Sequence, residues 1–330
     1  MTAIDDIDPE AEQRSVSVAV VCAAIRQEAH RALVAQDELL DSLLIALLAR
    51  GHVLVEGPPG VAKTLAVRVL ARCLGLSFGR IQFTPDLMPA DVLGSSIYDQ
   101  AAGTFRFRPG PLFASLILAD EINRTPPRTQ SALLEAMEER HVTADGVVHH
   151  LGEFFMVCAT QNPIEFEGTY PLPEAQLDRF LLKIKVDYPS EADECILLDR
   201  VRDGFRADVL DAVGLRRVAG ETELAACRAE VDRVLVSDDI CRYIAQLVRS
   251  TREHPKTMLG ASPRAAVLML HAVRASAAMR GIQFATPDDV KRVALPLMRH
   301  RLLIDPDAEL DGVTPDAVIS ELLASVPVPR

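Results

Sequence analysis

The chain has 330 residues, of which 49% are hydrophobic and 25% charged, and its formal net charge is −12. These proportions are ordinary for a soluble globular protein with one large domain or two smaller ones. The excess of acidic groups disfavours binding to nucleic acid or to an anionic membrane surface. No apolar run reaches the ~18 residues of a membrane helix, and the acidic N-terminus lacks the basic and apolar regions of a signal peptide.

Six cysteines are scattered along the chain without a C-x-x-C pair. Such spacing supports neither a zinc site nor a disulfide framework. Buried free thiols are typical of the reducing cytoplasm, so we expect a cytoplasmic protein without a membrane span.

The N-terminal part of the chain predicts a loose tail at residues 1–14 and two helices after it. Residues 16–33 have helical spacing, with Val20 and Ala29 on the predicted apolar side. A second, leucine-rich helix is expected to end at Gly51, because glycine is a frequent helix stop.

A glycine-rich turn lies between a short apolar run, residues 52–56, and a segment with helical spacing, residues 65–72. Strand, turn and helix in this order direct backbone N–H groups and the positive end of the helix dipole at one point, which suits a phosphate group. A chance strand–turn–helix that contains a lysine is the alternative, and it is disfavoured because context and spacing both match. The predicted nucleotide-binding residues are Gly57, Pro58, Pro59, Gly60, Val61, Ala62, Lys63, Thr64 and Leu65.

Lys63 and Thr64 supply the polar side chains of this loop. The lysine would place a mobile charge on the outer phosphates, and the threonine hydroxyl would be a ligand of Mg²⁺. Ala62 occupies a position where the usual signature has glycine. Alanine is tolerable there if the residue already lies in the right-handed helical region at the helix start, where no positive φ is needed.

Four further strands are predicted, at residues 80–83, 115–119, 154–159 and 181–186. The second and third of these runs are apolar on both faces, as in the centre of a parallel sheet. The last one alternates with lysines, which is typical of a sheet edge. Together with residues 52–56, they predict a five-stranded parallel sheet.

Two hairpins interrupt the α/β pattern, at residues 97–108 and 141–148. The second has Asp-Gly at its turn, a strong hairpin signal. A short helix that ends at Gly94 is expected before the first hairpin, and a longer helix at residues 129–140 before the second.

After residue 188 no further strand is predicted, and helices continue to the C-terminus. Three of them would start with an oxygen-bearing cap before a proline, at Ser262-Pro263, Thr286-Pro287 and Thr314-Pro315. We therefore predict an α/β nucleotide-binding domain at residues 15–188, followed by an all-α lid domain at residues 189–330.

Asp120 and Glu121 follow the apolar strand at residues 115–119. Sheets of α/β proteins bind ligands at the carboxyl ends of their strands. There Asp120 would hold Mg²⁺ through water, opposite Thr64, and Glu121 would orient and polarise the attacking water. A solvated loop start is the alternative, and it is disfavoured once the phosphate loop is granted.

Three more residues are candidates whose role the pattern alone leaves open. Asn162 ends the next strand and would lie beside Asp120, where its amide would bind the γ-phosphate or the water, or it merely turns the chain before a proline. Arg179 is either an arginine finger for a neighbouring subunit or an ordinary helix-end arginine. Arg264 opposes the dipole of the helix that it starts, so it is either functional or points into water.

Taken in their order along the chain, five segments make the sequence similar to the MoxR-type AAA+ ATPases of the helix-2-insert branch. The resemblance extends over about residues 16–327, and as a set the segments are highly specific. The alanine before Lys63 is the usual form in this family. The matching segments are Gly57–Thr64, Leu118–Arg124, Ala159–Pro163, Leu172–Phe180 and Gly260–Ala265.

The resemblance implies roles for the residues that the pattern left open. The hairpin at residues 97–108 corresponds to the helix-2 insert, and the hairpin at 141–148 to the pre-sensor hairpin. Relatives often have glycine where this chain has Ala35, near the adenine. The implied site residues are Walker A at Lys63 and Thr64, Walker B at Asp120 and Glu121, sensor 1 at Asn162, the arginine finger at Arg179 and sensor 2 at Arg264.

Proteins of this kind form rings, usually hexamers, with ATP between the subunits. They are thought to act as chaperones that mature partner complexes or insert cofactors into them, often with von Willebrand factor A domain proteins. The resemblance therefore implies ATP or ADP with Mg²⁺, a homo-oligomer, and a von Willebrand factor A domain partner.

Three hypotheses about function follow. The leading one is a Mg²⁺-dependent ATPase that remodels a partner protein and hydrolyses ATP at subunit interfaces. The second is a nucleotide-gated scaffold that binds ATP and barely hydrolyses it, and the intact Glu121 and Arg179 argue against it. The third is a nucleic-acid motor, and the net charge of −12 argues against it.

Overall fold

The computed structural model describes residues 17–101, 103–162, 168–207 and 209–329. It confirms the predicted fold, because a five-stranded parallel sheet flanked by helices is followed by a region made mainly of helices. The tail predicted at residues 1–14 lies outside the described residues. The domain boundary near residue 188 stays a prediction.

The secondary structure of the described residues begins with two helices and ends with one. The strands are β1 (Val53–Glu56), β2 (Phe78–Gln82), β3 (Gly94–Asp99), β4 (Thr104–Pro109), β5 (Leu116–Asp120), β6 (His141–Ala144), β7 (Val147–His150), β8 (Met156–Gln161), β9 (Leu182–Lys185), β10 (Thr257–Leu259) and β11 (Leu303–Ile304). The helices are α1 (Val18–Ala29), α2 (Asp37–Leu48), α3 (Lys63–Leu74), α4 (Pro89–Leu93), α5 (Pro127–Glu139), α6 (Glu174–Leu177), α7 (Glu191–Arg202), α8 (Leu210–Val213), α9 (Glu221–Arg233), α10 (Asp238–Glu253), α11 (Pro263–Met279), α12 (Pro287–Met298), α13 (Pro306–Leu310) and α14 (Pro315–Ser325). Elements α7 to α14, with β10 and β11, form what we call the C-terminal helical region.

The five parallel strands lie in the order β2-β5-β8-β1-β9. Since every neighbouring pair is parallel, the carboxyl ends of all five strands meet at one edge of the sheet. This confirms the five predicted strands and the predicted position of β9 at an outer edge. The edge with the carboxyl ends is therefore where the loops after β1, β5 and β8 come together.

The sheet separates two hydrophobic clusters, because alternate residues of a strand face opposite sides. In β1, Val53 and Val55 belong to the first cluster and Leu54 belongs to the second. The first cluster also holds buried residues of α1 to α3, α9 to α12 and α14, so the C-terminal helical region packs on that side. The second cluster holds the buried face of α5 and the base of β6.

The prediction that no strand follows residue 188 was wrong. In the C-terminal helical region, β10 and β11 pair antiparallel, with Thr257 opposite Ile304. These strands are three and two residues long. They are too short to show the alternation of apolar and polar residues by which a sequence indicates a strand.

The first helix is shorter than predicted, and its buried face includes Ala29, as predicted, but not Val20. Helix α1 ends at Ala29 and buries Val18, Cys22, Ile25 and Ala29. These residues follow the spacing of a single helix face. Val20, which we placed on the apolar side, is 68% exposed.

All three proline-led helix starts are confirmed, as the first turns of α11, α12 and α14. Thr314 caps α14 by accepting a hydrogen bond from the Ala317 N–H, and Thr286 forms a capping box with Asp289. Ser262 makes no capping hydrogen bond with its side chain, so the predicted cap at this residue was wrong.

The two predicted hairpins are confirmed as β3–β4 and β6–β7, and their bases stack on each other. The His149 ring lies 4.0 Å from the Phe107 ring, with the two planes 20° apart. At the far end of β3–β4, the Tyr98 and Phe105 rings lie 5.3 Å apart. Phe105 is 75% exposed, so the tip of this hairpin presents aromatic surface to solvent.

All six cysteines are free thiols. The prediction of buried thiols is confirmed for four of them and was wrong for Cys195 and Cys241, which are exposed. Burial raises the pKa of Cys158 to about 12, so this thiol is inert near neutral pH. Within the described part of the chain, no helix has both the length and the apolarity that crossing a membrane requires.

His52 is a buried histidine that joins the sheet to α5 at the start of β1. Its Nδ1 accepts a hydrogen bond from the Val157 N–H at 3.0 Å, so Nε2 carries the proton and donates to the Met137 carbonyl at 3.2 Å. Burial, and to a smaller extent the charge of Arg140, lower the pKa of His52 to about 4. The folded protein therefore holds this imidazole neutral.

We expect the free energy of unfolding to fall as the pH drops from about 6.5 towards about 4, because the unfolded imidazole of His52 then binds a proton that the folded one does not. At about pH 5 this group accounts for a loss of about 2 kcal/mol. Urea unfolding near pH 7.5 and near pH 5 measures the loss.

The His52→Gln variant should lose about 2 kcal/mol less than the unmodified protein over this pH interval. Part of the pH dependence will persist in the variant, because burial also lowers the pKa of His300. Equal losses in the two proteins would contradict the assignment.

Candidate functional site

The glycine-rich loop runs from β1 into α3, and its shape depends on two glycines. A Cβ on Gly57 would lie 2.3 Å from the Val186 carbonyl oxygen, so only glycine fits there. Gly60 has a φ of +86°, a conformation that favours glycine.

Ala62 has a φ of 60° and a ψ of 18°, so the right-handed conformation that would make alanine tolerable here is not the one that it adopts. Ala62 precedes the first helical residue and caps α3 with its carbonyl, which accepts the Ala66 N–H at 3.0 Å. A left-handed alanine costs about 1–2 kcal/mol. The loop holds this strain at the point where the backbone turns into the helix.

Lys63 is the first residue of α3, and its side chain folds over the loop. Its Nζ donates to the carbonyl oxygens of Gly57 at 2.5 Å and Pro58 at 3.0 Å. Burial lowers the pKa of Lys63, whereas the negative charges of Asp120 and Glu121 act in the opposite direction. The ammonium group is therefore close both to the loop and to the two carboxylates.

Thr160 is the residue that lies beside Asp120 across the β5–β8 pair, because Ala119 and Ala159 are in register. The Thr160 hydroxyl donates to Asp120 Oδ1 at 2.6 Å and accepts the Glu121 N–H at 3.0 Å. The prediction that Asn162 lies beside Asp120 was therefore wrong, since the strand continues to residue 161 and carries Asn162 further along the edge. The sequence analysis missed Thr160.

Side chains of β2 contact both carboxylates. Arg80 donates from Nη2 to Asp120 Oδ2 at 2.7 Å, and Gln82 donates from Nε2 to Glu121 Oε2 at 2.8 Å. Arg124 lies 3.2 Å from the same oxygen of Glu121. Glu121 itself has a φ of 58°. The polar residues at alternate positions of β2, next to the strand of Asp120, were the signal that could have revealed these contacts.

A cavity of about 600 Å³ opens at this edge of the sheet. Its polar end is lined by the loop, the two carboxylates, Thr160 and Asn162. Gly57 and Pro58 do not line the cavity, and their carbonyls accept hydrogen bonds from Lys63. The remaining predicted loop residues line the cavity directly, namely Pro59, Gly60, Val61, Ala62, Lys63, Thr64 and Leu65.

The opposite end of the cavity is apolar, and the sequence analysis missed the residues that form it. Leu33 and Val34, between α1 and α2, face Leu197, Val201 and Phe205 from α7 and the turn after it. A polar end with backbone N–H groups and an apolar end suit the phosphates and the base of a nucleotide, respectively.

The segment between α1 and α2 is joined to the glycine-rich loop. Gln36 donates from its buried side chain to the Val61 carbonyl at 3.3 Å. Ala35 has a φ of 54°, a backbone conformation that favours glycine.

The polar end of the cavity also suits a Mg²⁺ ion, because Thr64 and Asp120 offer a hydroxyl and a carboxylate there. The two Asp120 oxygens already accept hydrogen bonds from Thr160 and Arg80. Asp120 would therefore reach a metal ion through water.

Arg179 and Arg264 do not line the cavity of their own chain. Arg179 donates from Nη1 to the Leu134 carbonyl at 2.5 Å. Arg264 binds Glu138 at 2.8 Å, and this bond lowers the pKa of the Glu138 carboxyl group. Leu134 and Glu138 are one turn apart on α5, so both arginines lie along one side of this helix.

Comparison with known proteins matches residues 52–182 to the ATPase family associated with various cellular activities (AAA), and residues 249–322 to the AAA lid domain. The chaperone MoxR1 of Mycobacterium tuberculosis is 43% identical over 314 residues, which cover 92% of this chain and 81% of that protein. The protein MoxR of Methylorubrum extorquens is 31% identical over 328 residues, which cover 93% and 95% of the two chains. This chain belongs to the MoxR family of AAA+ ATPases.

A solved structure agrees with this assignment. A protein from Cytophaga hutchinsonii superposes with a TM-score of 0.88 at 37% sequence identity, over 97% of this chain and 98% of that one. Membership of the MoxR family makes the chain an ATP hydrolase of the AAA+ class and a chaperone relative.

In this MoxR-family ATPase, the Thr160→Val variant should lower kcat for ATP hydrolysis about 10- to 100-fold with little change in KM. The substitution removes the hydroxyl that holds Asp120 and the Glu121 backbone, and a small displacement of a catalytic group has effects of this size. It should also lower the free energy of unfolding by about 1–3 kcal/mol, because buried polar groups lose their partner. Steady-state ATPase assays and urea unfolding measure the two effects.

The Thr160→Ser variant is the matched control, because it keeps the hydroxyl and loses only a methyl group. It should retain most of the activity. A Thr160→Val protein with an unchanged kcat would show that this hydrogen bond does not position the carboxylates.

Proposed function

We propose that this chain hydrolyses ATP in the cavity at the carboxyl edge of the sheet, with Mg²⁺, and uses the energy to remodel a partner protein. The observation that supports the proposal best is the meeting of Lys63, Thr64, Asp120 and Glu121 at the polar end of one cavity whose other end is apolar. The loop N–H groups and Lys63 bind the phosphates, and the apolar end binds the adenine.

The carboxylates and the amide have separate roles in this proposal. Glu121 orients the attacking water and accepts its proton as the water oxygen bonds to the γ-phosphorus. The bond from this phosphorus to the bridging oxygen breaks, which releases ADP and phosphate. Asn162, which lines the same cavity, donates a hydrogen bond to the γ-phosphate or to the water. Thr64 and Asp120 would hold Mg²⁺, which would neutralise the charge of the phosphate groups.

We assign Arg179 and Arg264 to the nucleotide of a neighbouring subunit. Both are held at the side of α5 and neither lines the cavity of its own chain. A guanidinium supplied by a neighbour stabilises the charge of the transition state and makes hydrolysis depend on assembly. The assembly that this requires is a closed ring, for which we propose six copies.

The partner in this proposal is a protein complex that the ring matures, for example by inserting a metal ion or cofactor. A more distant relative supports this role, since the magnesium-chelatase 38 kDa subunit of Acidiphilium rubrum is 27% identical over 355 residues, covering 91% of this chain. We propose that a protein with a von Willebrand factor A domain links the ring to its client. The six free thiols fit a place in the reducing cytoplasm.

A nucleotide-gated scaffold with slow hydrolysis is the second candidate, and the contacts that hold the two carboxylates favour it. Arg80 binds Asp120, and Gln82 and Arg124 bind Glu121. A carboxylate held in this way must exchange its partners before it can orient water, which favours slow turnover until a partner binds.

Mixing of inactive variants tests the shared site. Arg179→Ala and Lys63→Ala proteins should each lose ATPase activity at least 10³-fold, because the first lacks the arginine and the second the lysine on the phosphates. A mixture should regain part of the activity, because an intact loop from one protein then meets an intact Arg179 from the other. ATP turnover of the mixture against each protein alone is the measurement.

The control for mixing is a Lys63→Ala, Arg179→Ala double variant, which should not rescue either single variant. Assembly of mixed rings is checked with two affinity tags on the two proteins. Mixed rings that form and stay inactive would exclude the shared site.

The partner role is tested with the Glu121→Gln protein, which should bind ATP and hydrolyse it at least 10²-fold more slowly. A tagged Glu121→Gln ring should therefore retain the von Willebrand factor A domain protein in ATP and release it in ADP. The Lys63→Ala ring is the control that should retain little in either nucleotide. Equal recovery in all four samples would contradict a nucleotide-dependent partner.

A further inference from the structure

Arg301 is a buried arginine that follows α12, and all but one of its hydrogen bonds go to one short segment, residues 178–181. Its side chain is 2% exposed. Its Nε donates to Asp178 Oδ1 at 2.6 Å, and its Nη2 donates to the carbonyl oxygens of Asp178 at 3.1 Å and Phe180 at 2.6 Å. Its Nη1 donates to the carbonyls of Leu181, at 3.2 Å, and Leu297.

These contacts lie on both sides of Arg179. Asp178 precedes this arginine and Phe180 follows it, and the carbonyl groups of both residues accept from Arg301. The Phe180 carbonyl also interacts with His300 Nε2 at 3.0 Å. The backbone that carries Arg179 is therefore fixed by two residues of the C-terminal helical region.

Asp178 extends the contact to the second arginine of the site. One of its carboxylate oxygens binds Arg301, and the other lies 3.8 Å from Arg264 Nε. Asp178 therefore connects three arginines, of which two belong to the C-terminal helical region and the third is its own neighbour in the chain. The position of Arg179 is in this way linked to the region that packs behind the sheet.

A nearby arginine attaches the C-terminal helical region without contacting the segment of Arg179. Arg299 binds Asp316 at 3.1 Å and donates to the Lys183 carbonyl at 3.4 Å. It thus joins the same region to β9, but it touches no residue next to Arg179. Arg299 makes two hydrogen bonds. Arg301 makes five, of which four go to residues 178–181.

We propose that Arg301 is a positioning residue that places Arg179 for the nucleotide of the neighbouring subunit. The proposal rests on the assignment of Arg179 to the neighbouring site. It makes the C-terminal helical region of one subunit responsible for catalysis in the next, because movement of α12 displaces the backbone on either side of Arg179. A catalytic group displaced by about 1 Å can lower the rate about 10²-fold.

Lysine does not replace Arg301 in this role. The planar guanidinium donates along several fixed directions, whereas an ammonium group is a single point charge on a flexible chain. Arg301→Lys therefore keeps the charge beside Asp178 and loses most of the bonds to the carbonyl groups of residues 178, 180 and 181.

The test is ATP hydrolysis by Arg301→Lys alone and in mixed rings. Alone, the variant should lower kcat about 10- to 100-fold, with KM for ATP within about twofold of the unmodified protein, since its own cavity is intact. Arg299→Lys is the matched control and should keep most of its activity. Circular dichroism and gel filtration establish that both variants fold and assemble.

Mixed rings then show whether Arg301→Lys impairs the Arg179 that the variant supplies to its neighbour, which we call a donor defect, or the cavity of its own chain. With Lys63→Ala, which supplies an intact Arg179, the Arg301→Lys protein should regain as much activity as Arg179→Ala does. The mixture of Arg301→Lys with Arg179→Ala should have at least about tenfold less ATPase activity, because Arg179→Ala needs the Arg179 of its partner. Equal activity in the two mixtures, or more activity in the second, would overturn the proposal.

The reference mixture of Arg179→Ala with Lys63→Ala separates this inference from the proposed function. If that mixture stays inactive in rings that have formed, the shared site itself is wrong. If it is active and Arg301→Lys shows no donor defect, only the role of Arg301 is wrong. Should Arg301→Lys not assemble, Asp178→Asn takes its place in both mixtures, and a donor defect supports the proposal while none overturns it.

Discussion

The alignment of three parallel strands is the constraint on which the site depends. Because β5, β8 and β1 lie side by side with one direction, the chain after each of them leaves the sheet at the same edge. The Thr160 hydroxyl joins two of these strand ends by binding the Asp120 carboxylate and the Glu121 backbone at once. A one-residue change of register would separate these groups and turn every side chain to the other face.

Different helices pack on the two faces of the sheet. The C-terminal helical region packs with α1 to α3 on one face, where it shares a single hydrophobic cluster with them. On the other face, α5 holds Arg179 and Arg264 along one side. The helix α3, which follows the glycine-rich loop, and the helix α5, which holds the two arginines, thus lie on opposite faces of the sheet.

The sequence predicts the fold well because the strands are buried runs and the loop has a distinctive spacing. It does not reveal Thr160, Arg80 or Gln82, because their role depends on which strands are neighbours, and β2, β5 and β8 are far apart along the chain. The sequence does not reveal the backbone conformation of Ala62 either, since a positive φ is not expected of alanine. The sequence also does not show that Arg179 lies outside the cavity of its own chain, because this depends on how its side chain packs against α5.

The stacking of His149 on Phe107 joins the two hairpins at their bases. The exposed rings of Tyr98 and Phe105 lie at the tip of β3–β4, and the stacked rings lie at its base. The strand β5 starts just beyond the base of β4 and ends at Asp120. Since the bases of the two hairpins are in contact, a force applied to the tip of β3–β4 also acts on β6–β7.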